Sequence, residues 1–233
     1  MRSEAKDEMN AAPILSAILP PAAIAAEILG ETTDVALLPE EAAILSPAAV
    51  EKRRREFATG RTLARRALRR LGVAPVAIRV GAKRQPLWPE GVIGSITHCR
   101  GYCAAAVAFA ADLCSIGIDA EVHDRLPGDV ISHVTRPEER AWIESRAGDS
   151  IFWDRLFFSA KESVFKAWFP LMGRWLAFDD ASLEIDVEAG TFRASLVTER
   201  VPLGGCVLTG FEGRYLLYGN HVFTSVVIEP PRP

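Results

Sequence analysis

Cysteine is scarce in this chain, and the cysteines do not have the spacing of a disulfide framework. The four are Cys99, Cys103, Cys114 and Cys206. His98 lies beside the first of them, but no second CxxC or HxxxH pair is present to complete a tetrahedral zinc site. We therefore expect free thiols, most of them buried, in a reducing compartment.

The sequence also lacks the features of a signal peptide and of a membrane-spanning helix. Glu4, Asp7 and Glu8 stand where a signal peptide carries positive charge. The apolar run that follows is interrupted by Pro20 and Pro21, and no apolar run reaches the length that a bilayer requires. We expect a cytoplasmic protein that has no membrane partner.

An excess of positive charge, an internal repeat and a low-complexity linker are absent as well. The net charge is -3, with 27 Lys and Arg against 30 Asp and Glu, so the whole molecule is not suited to a nucleic-acid or anionic-lipid partner. The 233 residues, 49% of them hydrophobic, are sufficient for one large domain or two small ones with a substantial core.

Periodicity and capping residues predict two long helices. The first is predicted to begin at Ser46 and Pro47 and to run to Leu71, with Gly72 as its stop. The second is predicted over residues 153–169 and should end before Pro170. The apolar positions expected to face the core in the first helix are Val50, Phe57, Ala64, Leu68 and Leu71.

Strands occupy most of the remaining sequence. They are predicted at residues 22–29, 76–80, 91–97, 102–110, 115–122, 182–187, 191–197, 207–211, 215–217 and 223–228. A capping box that begins at Thr135 predicts a short helix through Trp142. This order predicts an α+β fold with two halves, residues 1–114 and 115–233.

The predicted strand SIGIDAEV, residues 115–122, carries two acids in an otherwise apolar stretch. In a strand, Gly117, Asp119 and Glu121 share one face. The two carboxylates would be about 6.6 Å apart and would repel each other unless a positive charge lies nearby. Gly117 would leave room for a ligand. Solvated acids on an exposed edge strand are one interpretation, and a divalent-cation site is the other.

The second predicted helix contains a charged pair on the side opposite its apolar stripe. Glu162 and Lys166 lie one turn apart there, and Lys161 adjoins them. An exposed i,i+4 pair is the simpler interpretation. Because three phenylalanines flank the same side, a buried pair that binds phosphate near a cation is the alternative.

The first predicted helix concentrates positive charge. Its basic residues are Lys52, Arg53, Arg54, Arg55, Arg61, Arg65, Arg66, Arg69 and Arg70. Arg53 and Arg61 lie about two turns apart, with Phe57 between them, so both could reach one anion. A solvated basic face explains most of the others. A nucleic-acid-binding helix is the other alternative, which the acidic total and the lack of interleaved aromatics weaken.

A further candidate element is the segment GSITHC, residues 94–99. His98 lies there among small hydroxyl residues, which can donate hydrogen bonds to phosphate oxygens. A single histidine at the end of a strand is more often structural. The upstream loop GAKRQPLWP adds two cations, Lys83 and Arg84.

Three of these motifs, GSITH, GIDAE and FSAKESVFKAW, together strongly resemble the 4′-phosphopantetheinyl transferases of the Sfp type, in particular the enterobactin-synthase and actinobacterial branch. The stretches KRRREFATGR, PLWP and RWLAFDDA resemble that branch too. The resemblance implies transfer of phosphopantetheine from coenzyme A to a serine of an acyl, peptidyl or aryl carrier protein, with release of adenosine 3′,5′-bisphosphate. It also implies pseudo-twofold α+β halves with coenzyme A and Mg²⁺ in the cleft between them.

The resemblance assigns a metal site and a catalytic group. Asp119, Glu121 and Glu162 match the acidic triad at Mg²⁺, for which Mn²⁺ is a possible substitute. Lys166 would neutralise charge on the pyrophosphate, and with Asp119 and Glu162 it makes up the catalytic set. Glu162 also matches the proposed general base. Because a bound cation would lower the pKa of this carboxyl, we favour a relay through water or hydroxide.

The resemblance also assigns coenzyme A contacts. Arg53, Arg61 and His98 match residues that hold the 3′-phosphate, which suits the planar fork of arginine. Further predicted contacts are Lys83, Thr97, Lys161, Lys166 and Trp175. For Trp175, packing in the core is an equally good interpretation.

The partner is expected to be a carrier protein of a fatty-acid, polyketide, siderophore or other peptide synthase. The segment 127–146 is where the resemblance places the carrier helix. Because one chain supplies both halves of the cleft, we expect a monomer. The alternatives to an active transferase are a nucleic-acid-binding module and an inactive homologue that binds coenzyme A or a carrier.

Overall fold

Residues 13–231 are described by a computed structural model of the chain. Glu4, Asp7 and Glu8, on which the signal-peptide argument depends, lie outside the described residues. Helices and strands are both abundant between residues 13 and 231, which confirms the predicted α+β class. In that part of the chain no helix is both long and apolar enough to traverse a bilayer.

Five α-helices and twelve strands make up residues 13–231. The helices are α1 (Pro39–Ala42), α2 (Glu51–Arg70), α3 (Gly128–Val134), α4 (Pro137–Glu144) and α5 (Trp153–Met172). The strands are β1 (Ile24–Leu29), β2 (Arg79–Val80), β3 (Pro86–Leu87), β4 (Val92–Cys99), β5 (Tyr102–Phe109), β6 (Ser115–Val122), β7 (Ala181–Asp186), β8 (Thr191–Leu196), β9 (Val201–Leu203), β10 (Cys206–Leu208), β11 (Gly210–Tyr218) and β12 (His221–Ile228). Short 3₁₀ segments span Ile14–Ala17 and Phe178–Asp180.

Two antiparallel sheets form the framework. The first has the strand order β1-β5-β4, and α2 packs against β5 and β1. The second has the order β6-β12-β11-β8-β7, and α5 packs against β6 and β12. β2 with β3 and β9 with β10 form two-stranded ribbons. Each main sheet therefore carries one of the two long helices.

Strand β5 separates two hydrophobic cores, because its side chains alternate between opposite faces of the sheet. Ala105 and Val107 pack in the core beneath α2. Ala104 and Ala106 face a second core, which includes Ile118 of β6. Residues on both sides of the predicted boundary at residue 114 thus contribute to one continuous core.

The predicted start of the first helix is wrong. The helix begins at Glu51, and Ser46 instead forms a turn in which its Oγ accepts a hydrogen bond from Ala48 N at 3.2 Å. Arg54 stabilises this turn by donating to Pro47 O at 2.7 Å. As a result Val50, expected in the core, is 69% exposed. Phe57, Ala64 and Leu68 are buried as predicted, and Leu71 is partly buried against their core.

The second helix runs three residues beyond its predicted end. Pro170 lies inside its last turn, and the helix stops at Gly173, whose φ of 64° is left-handed. A proline so close to the end removes one hydrogen bond that the last turn can lose. The apolar stripe predicted for this helix is buried, apart from the partly exposed Leu171. Its residues are Trp153, Phe157, Ala160, Val164, Ala167, Trp168 and Leu171.

Several strand and cap boundaries also differ from prediction. The strand predicted at 76–80 is reduced to Arg79–Val80. The strand predicted at 207–211 is divided between β10 and β11, and the one predicted at 215–217 lies within the longer β11. The N-cap of α4 is Arg136 rather than Thr135, and the Arg136 N–H donates to Glu139 Oε2 at 2.7 Å. The proline at the first helical position shifted this cap by one residue.

The two main sheets meet edge to edge, where β4 at the edge of one sheet contacts β6 at the edge of the other. Side-chain hydroxyls join them: Ile118 N donates to Ser95 Oγ at 3.2 Å, and Ala120 N donates to Thr97 Oγ1 at 3.0 Å. We call these four residues the β4–β6 junction. Each hydroxyl accepts from an edge N–H that a neighbouring strand would otherwise satisfy.

Candidate active site

Asp119 lies at the β4–β6 junction, on the face of β6 that α5 covers. Its Oδ1 accepts hydrogen bonds from Lys166 Nζ at 2.7 Å and from Thr97 Oγ1 at 3.1 Å. Lys166 Nζ also donates to Ile118 O at 3.1 Å. The other carboxylate oxygen, Oδ2, is buried and has no hydrogen-bond partner in the described part of the chain. A buried carboxylate oxygen without a hydrogen-bond partner lowers the stability of the fold. Its presence therefore indicates that a ligand binds beside Oδ2.

Glu121, two residues further along the same face, is held by a second cation. Arg155 Nη1 lies 3.1 Å from Glu121 Oε2, and Arg155 Nη2 lies 2.6 Å from Asp124 Oδ1. Burial and the nearby Asp119 raise the pKa of Glu121 to about 7, although Arg155 and Lys166 lower it. The repulsion predicted between the two acids is therefore present, and two cations moderate it.

Arg155 was missed by the sequence analysis. It lies seven residues before Glu162, which is two helical turns and hence the same face of α5. This spacing was visible in the sequence. Its partners were not, since Glu121 is 34 residues away along the chain.

Glu162 contributes the third acid from α5. Burial raises its pKa, Lys166 lowers it and Asp119 raises it further. Glu162 therefore lies within electrostatic reach of both Lys166 and Asp119.

The donor chemistry of Asp119, Glu121 and Glu162 fits Mg²⁺, which prefers oxygen ligands. The unpartnered Oδ2 of Asp119 supports the fit. Between residues 13 and 231, no group of three His, Cys, Asp or Glu side chains stands in a ligating arrangement. In this arrangement Glu121 is paired with Arg155, so that ligation by Glu121 would require this carboxylate to exchange partners.

Arg61 provides a second unsatisfied polar group, on α2. Its guanidinium stacks 4.4 Å from the centre of the Phe57 ring, and its buried Nε lacks a partner within the described chain. Burial, together with the neighbouring cations Arg53 and Arg65, lowers the pKa of Arg61 to about 10, although Glu41 raises it. A buried arginine beside a second one is suited to an anion such as phosphate.

His98 links this basic region to Asp119. The surrounding protein removes part of the solvation of the imidazole and so lowers its pKa, and the charges of Lys166 and Arg53 act in the same direction. Glu56 and Asp119 oppose them. The imidazole thus lies within electrostatic reach of charges from both α2 and α5, and the residue is exposed to solvent.

A groove of about 890 Å³ lies between β4 and the C-terminal end of α5. Residues of its lining include Lys83, Trp88, Phe165, Lys166, Phe169 and Trp175. Trp175 is 74% exposed and its ring lies 4.7 Å from that of Phe165, so the core-packing interpretation of Trp175 is wrong. Gly94 is required here, since a Cβ would lie 2.6 Å from Ala106 O and 2.8 Å from the Trp88 ring.

Lys161 is not directed into this groove. Its ammonium lies 2.7 Å from Glu139 Oε2 and 3.0 Å from Phe178 O, and both side chains of the ion pair are almost fully buried. Burial lowers the pKa of Lys161, and Glu139 opposes this. Glu139 also accepts the Leu183 N–H at 2.7 Å. The contacts of Lys161 are therefore structural ones, and sequence reasoning had missed Glu139.

The expectation that Gly117 leaves room for a ligand is wrong. A Cβ at this position would lie 1.9 Å from Ser163 O and 2.7 Å from Ala167 N. The backbone of α5 fills the space that the missing side chain leaves. This close approach brings Glu162 and Lys166 against the strand that carries Asp119.

Comparison with known proteins gives a consistent result. A family model described as "4'-phosphopantetheinyl transferase N-terminal domain" matches residues 40–108. Another, "4'-phosphopantetheinyl transferase superfamily", matches residues 115–202.

Three relatives are similar over almost the whole chain. 4'-phosphopantetheinyl transferase Svp of Streptomyces mobaraensis is 47% identical over 94% of this chain and 90% of its own length. 4'-phosphopantetheinyl transferase Npt of Nocardia iowensis is 42% identical over 91% and 99%. 4'-phosphopantetheinyl transferase PptT of Mycobacterium tuberculosis is 41% identical over 87% and 91%.

Proposed function

Because the chain belongs to the 4′-phosphopantetheinyl transferase superfamily, we propose that Asp119, Lys166 and the groove beside them form the active site of this reaction. The chain transfers the 4′-phosphopantetheine group of coenzyme A to a serine hydroxyl of an apo carrier protein, and adenosine 3′,5′-bisphosphate leaves. The observation that carries the assignment of the site is the pair of the buried Asp119 with the partly buried Lys166, together with the unpartnered oxygen of the Asp119 carboxylate.

The adenosine end of coenzyme A is assigned to the basic region. Arg53, Arg61 and His98 would hold the 3′-phosphate, which would satisfy the buried Nε of Arg61. Lys83 would approach the nucleotide from the rim of the groove. The apolar walls at Phe165 and Trp175 suit the pantetheine arm.

Asp119, Glu121 and Glu162 would hold Mg²⁺, or Mn²⁺ in its place. When bound, the cation would supply positive charge to the diphosphate oxygens, which lowers the cost of the charge that develops there. Lys166 would supply a second positive charge beside Asp119. Dependence on a divalent cation is thus part of the proposal.

In the transfer, the serine oxygen bonds to the phosphorus that carries the pantetheine arm, and the bond from this phosphorus to the oxygen of the leaving adenosine bisphosphate breaks. The serine proton passes to Glu162 or to a water beside it. The water is the favoured acceptor, because a cation held by Glu162 would lower the pKa of this carboxyl. Lys166 stabilises negative charge on the departing phosphate.

The test is a mass measurement on an apo carrier protein incubated with coenzyme A and Mg²⁺. The wild-type chain should add one phosphopantetheine, and Asp119→Asn and Glu162→Gln should each lose this activity while they remain folded. Glu212→Gln is the matched control, because Glu212 forms an exposed pair with Arg193 at 2.6 Å. Full labelling by both site variants would reject the assigned site.

Other features remain predictions. These are a cytoplasmic location, a monomer, pseudo-twofold halves divided at residue 114 and carrier docking at residues 127–146. The family matches at 40–108 and 115–202 lie on either side of that boundary, which supports it. The nucleic-acid-binding alternative has no support in the comparisons.

A further inference from the structure

Thr97 has a buried hydroxyl whose hydrogen bonds are all made within the protein. The residue is 2% exposed, and its Oγ1 accepts from Ala120 N at 3.0 Å while donating to Asp119 Oδ1 at 3.1 Å. Its one donor proton is therefore used on a carboxylate. A phosphate oxygen of coenzyme A would have to displace Asp119 to receive it.

The same hydrogen bond distinguishes the two oxygens of Asp119. Oδ1 accepts hydrogen bonds from both Thr97 and Lys166, whereas Oδ2 accepts none within the described chain. The last torsion of an aspartate is soft and close to twofold, so a carboxylate with one flexible partner can exchange its oxygens. Lysine is such a partner, because its ammonium moves on a four-carbon stem. Thr97 is fixed on a strand and bonded to a backbone N–H, so it can define one orientation.

We propose that Thr97 is a positioning residue that acts through Asp119, and that it orients Asp119 so that Oδ2 is the oxygen offered to a divalent cation. The inference rests on the proposed function, since the cation belongs to it. It replaces the predicted contact between the Thr97 hydroxyl and coenzyme A. The β4–β6 junction thus connects the geometry of the metal site to the contact between the two sheets.

Ser95 provides a matched control within the same junction. Its hydroxyl accepts from Ile118 N at 3.2 Å, as that of Thr97 accepts from Ala120 N, but Ser95 makes no hydrogen bond to Asp119. Ser95→Ala and Thr97→Val therefore each leave one buried N–H without its acceptor. Only Thr97→Val also releases Asp119.

The experiment measures Mn²⁺ affinity on the full chain with coenzyme A present and no carrier, from the loss of the free-ion electron paramagnetic resonance signal. Thr97→Val should weaken Mn²⁺ binding by about 10–100-fold. Thr97→Ser, which keeps the hydroxyl, and Ser95→Ala should bind Mn²⁺ about as tightly as the wild type. Thr97→Ala is measured in parallel, and circular dichroism checks the fold, so that one misfolded variant does not decide the result.

Unchanged Mn²⁺ affinity in folded Thr97→Val or Thr97→Ala overturns the inference. Weaker coenzyme A binding without metal, alongside unchanged Mn²⁺ affinity, also overturns it and restores the direct contact. Asp119→Asn separates the two proposals. If that variant binds Mn²⁺ like the wild type, the proposed metal site fails; if it loses Mn²⁺ and the Thr97 variants do not, only the positioning role fails.

Discussion

At the scale of single residues, the two lysines of α5 differ in what their ammonium groups contact. Lys166 bonds Asp119, whose other oxygen has no partner within residues 13–231, and Lys166 also lines the groove. We expect Lys166→Met to lower the rate of transfer by about 10²–10³-fold, because it removes a donor from the developing charge. Because the variant also leaves the buried Asp119 carboxylate without its cation, thermal unfolding should move to lower temperature, and the rates are compared well below it. Lys52→Met is the control, since Lys52 is exposed in a loose i,i+4 pair; equal loss in both variants would contradict a role for Lys166.

The cysteines differ in reactivity at the same scale. Burial and the acids Glu121 and Asp119 raise the pKa of Cys99 to about 12, and burial and Glu56 raise that of Cys103 to about 12. At pH 8 roughly one such thiol in ten thousand is ionised, so both should resist iodoacetamide. Cys206 is exposed and should react first.

Peptide mass mapping of a time course checks this order, and the unfolded chain, in which all four thiols react, is the control. Rapid alkylation of Cys103 in the folded protein would contradict the expectation. The thiols are free as predicted, but only Cys103 is fully buried, since Cys99 and Cys114 are partly exposed.

Residue partnerships show where sequence analysis ends. The strand period placed Asp119 and Glu121 on one face, and the helical period placed Glu162 beside Lys166. Neither period indicates that Arg155 pairs with Glu121, or Lys161 with Glu139 at 22 residues' separation. Such pairs depend on how elements pack, which a local pattern does not contain.

At the scale of elements, the contact between β6 and α5 depends on Gly117. Gly117→Ala should lower the free energy of unfolding by about 3 kcal/mol or more, because the added Cβ meets helix backbone rather than a flexible side chain. Chemical denaturation measures this change. Gly148→Ala is the control, since a Cβ there meets nothing within 4 Å. Gly117→Ala should lose much more unfolding free energy than Gly148→Ala. Equal stability of the two variants would contradict the close approach of α5 to β6.

The buried pair of Lys161 and Glu139 connects α5, α4 and the strand β7. Lys161→Met leaves a buried carboxylate without its cation and should lower the free energy of unfolding by about 3–5 kcal/mol. The double variant Lys161→Met/Glu139→Gln should recover part of the loss, because no unpaired charge remains. Coenzyme A affinity, measured by calorimetry below the unfolding range, should stay near that of the wild type. A large fall in that affinity would restore the predicted coenzyme contact of Lys161.

The element boundaries also show which local signals were decisive. The alternation of β6 and the apolar stripe of α5 were read correctly because each buries a whole face. The Ser46–Pro47 signal is a genuine cap pattern, but Arg54 folds back onto it and the helix begins later. One side chain is enough to shift a helix start that only two residues predict. A hydrophobic stripe over five turns is not displaced by a single contact.

At the scale of the whole molecule, the shared core predicts cooperative unfolding. Leu15 and Tyr102 pack in one cluster with Ile116 and Phe223, across the predicted boundary at residue 114. We expect one thermal transition, with calorimetric and van't Hoff enthalpies in agreement.

Far-UV circular dichroism and tryptophan fluorescence should give the same midpoint. The other tryptophans all follow residue 114, so in Trp88→Phe the fluorescence reports only the second half, whereas circular dichroism reports both halves. Two separated transitions would show that the halves are independent units.

The hydroxyl-lined junction has one more consequence, for association between molecules. If the edge of β6 were exposed, its unpaired N–H groups could hydrogen-bond to a strand of another molecule. Pairing of this kind between sheet edges leads to aggregation. Ser95 and Thr97 cover two of these amides with side chains instead of a continuous ladder, so the sheet is closed without being extended. The same strand, β4, thus both limits association between molecules and holds the hydroxyl that bonds the Asp119 carboxylate.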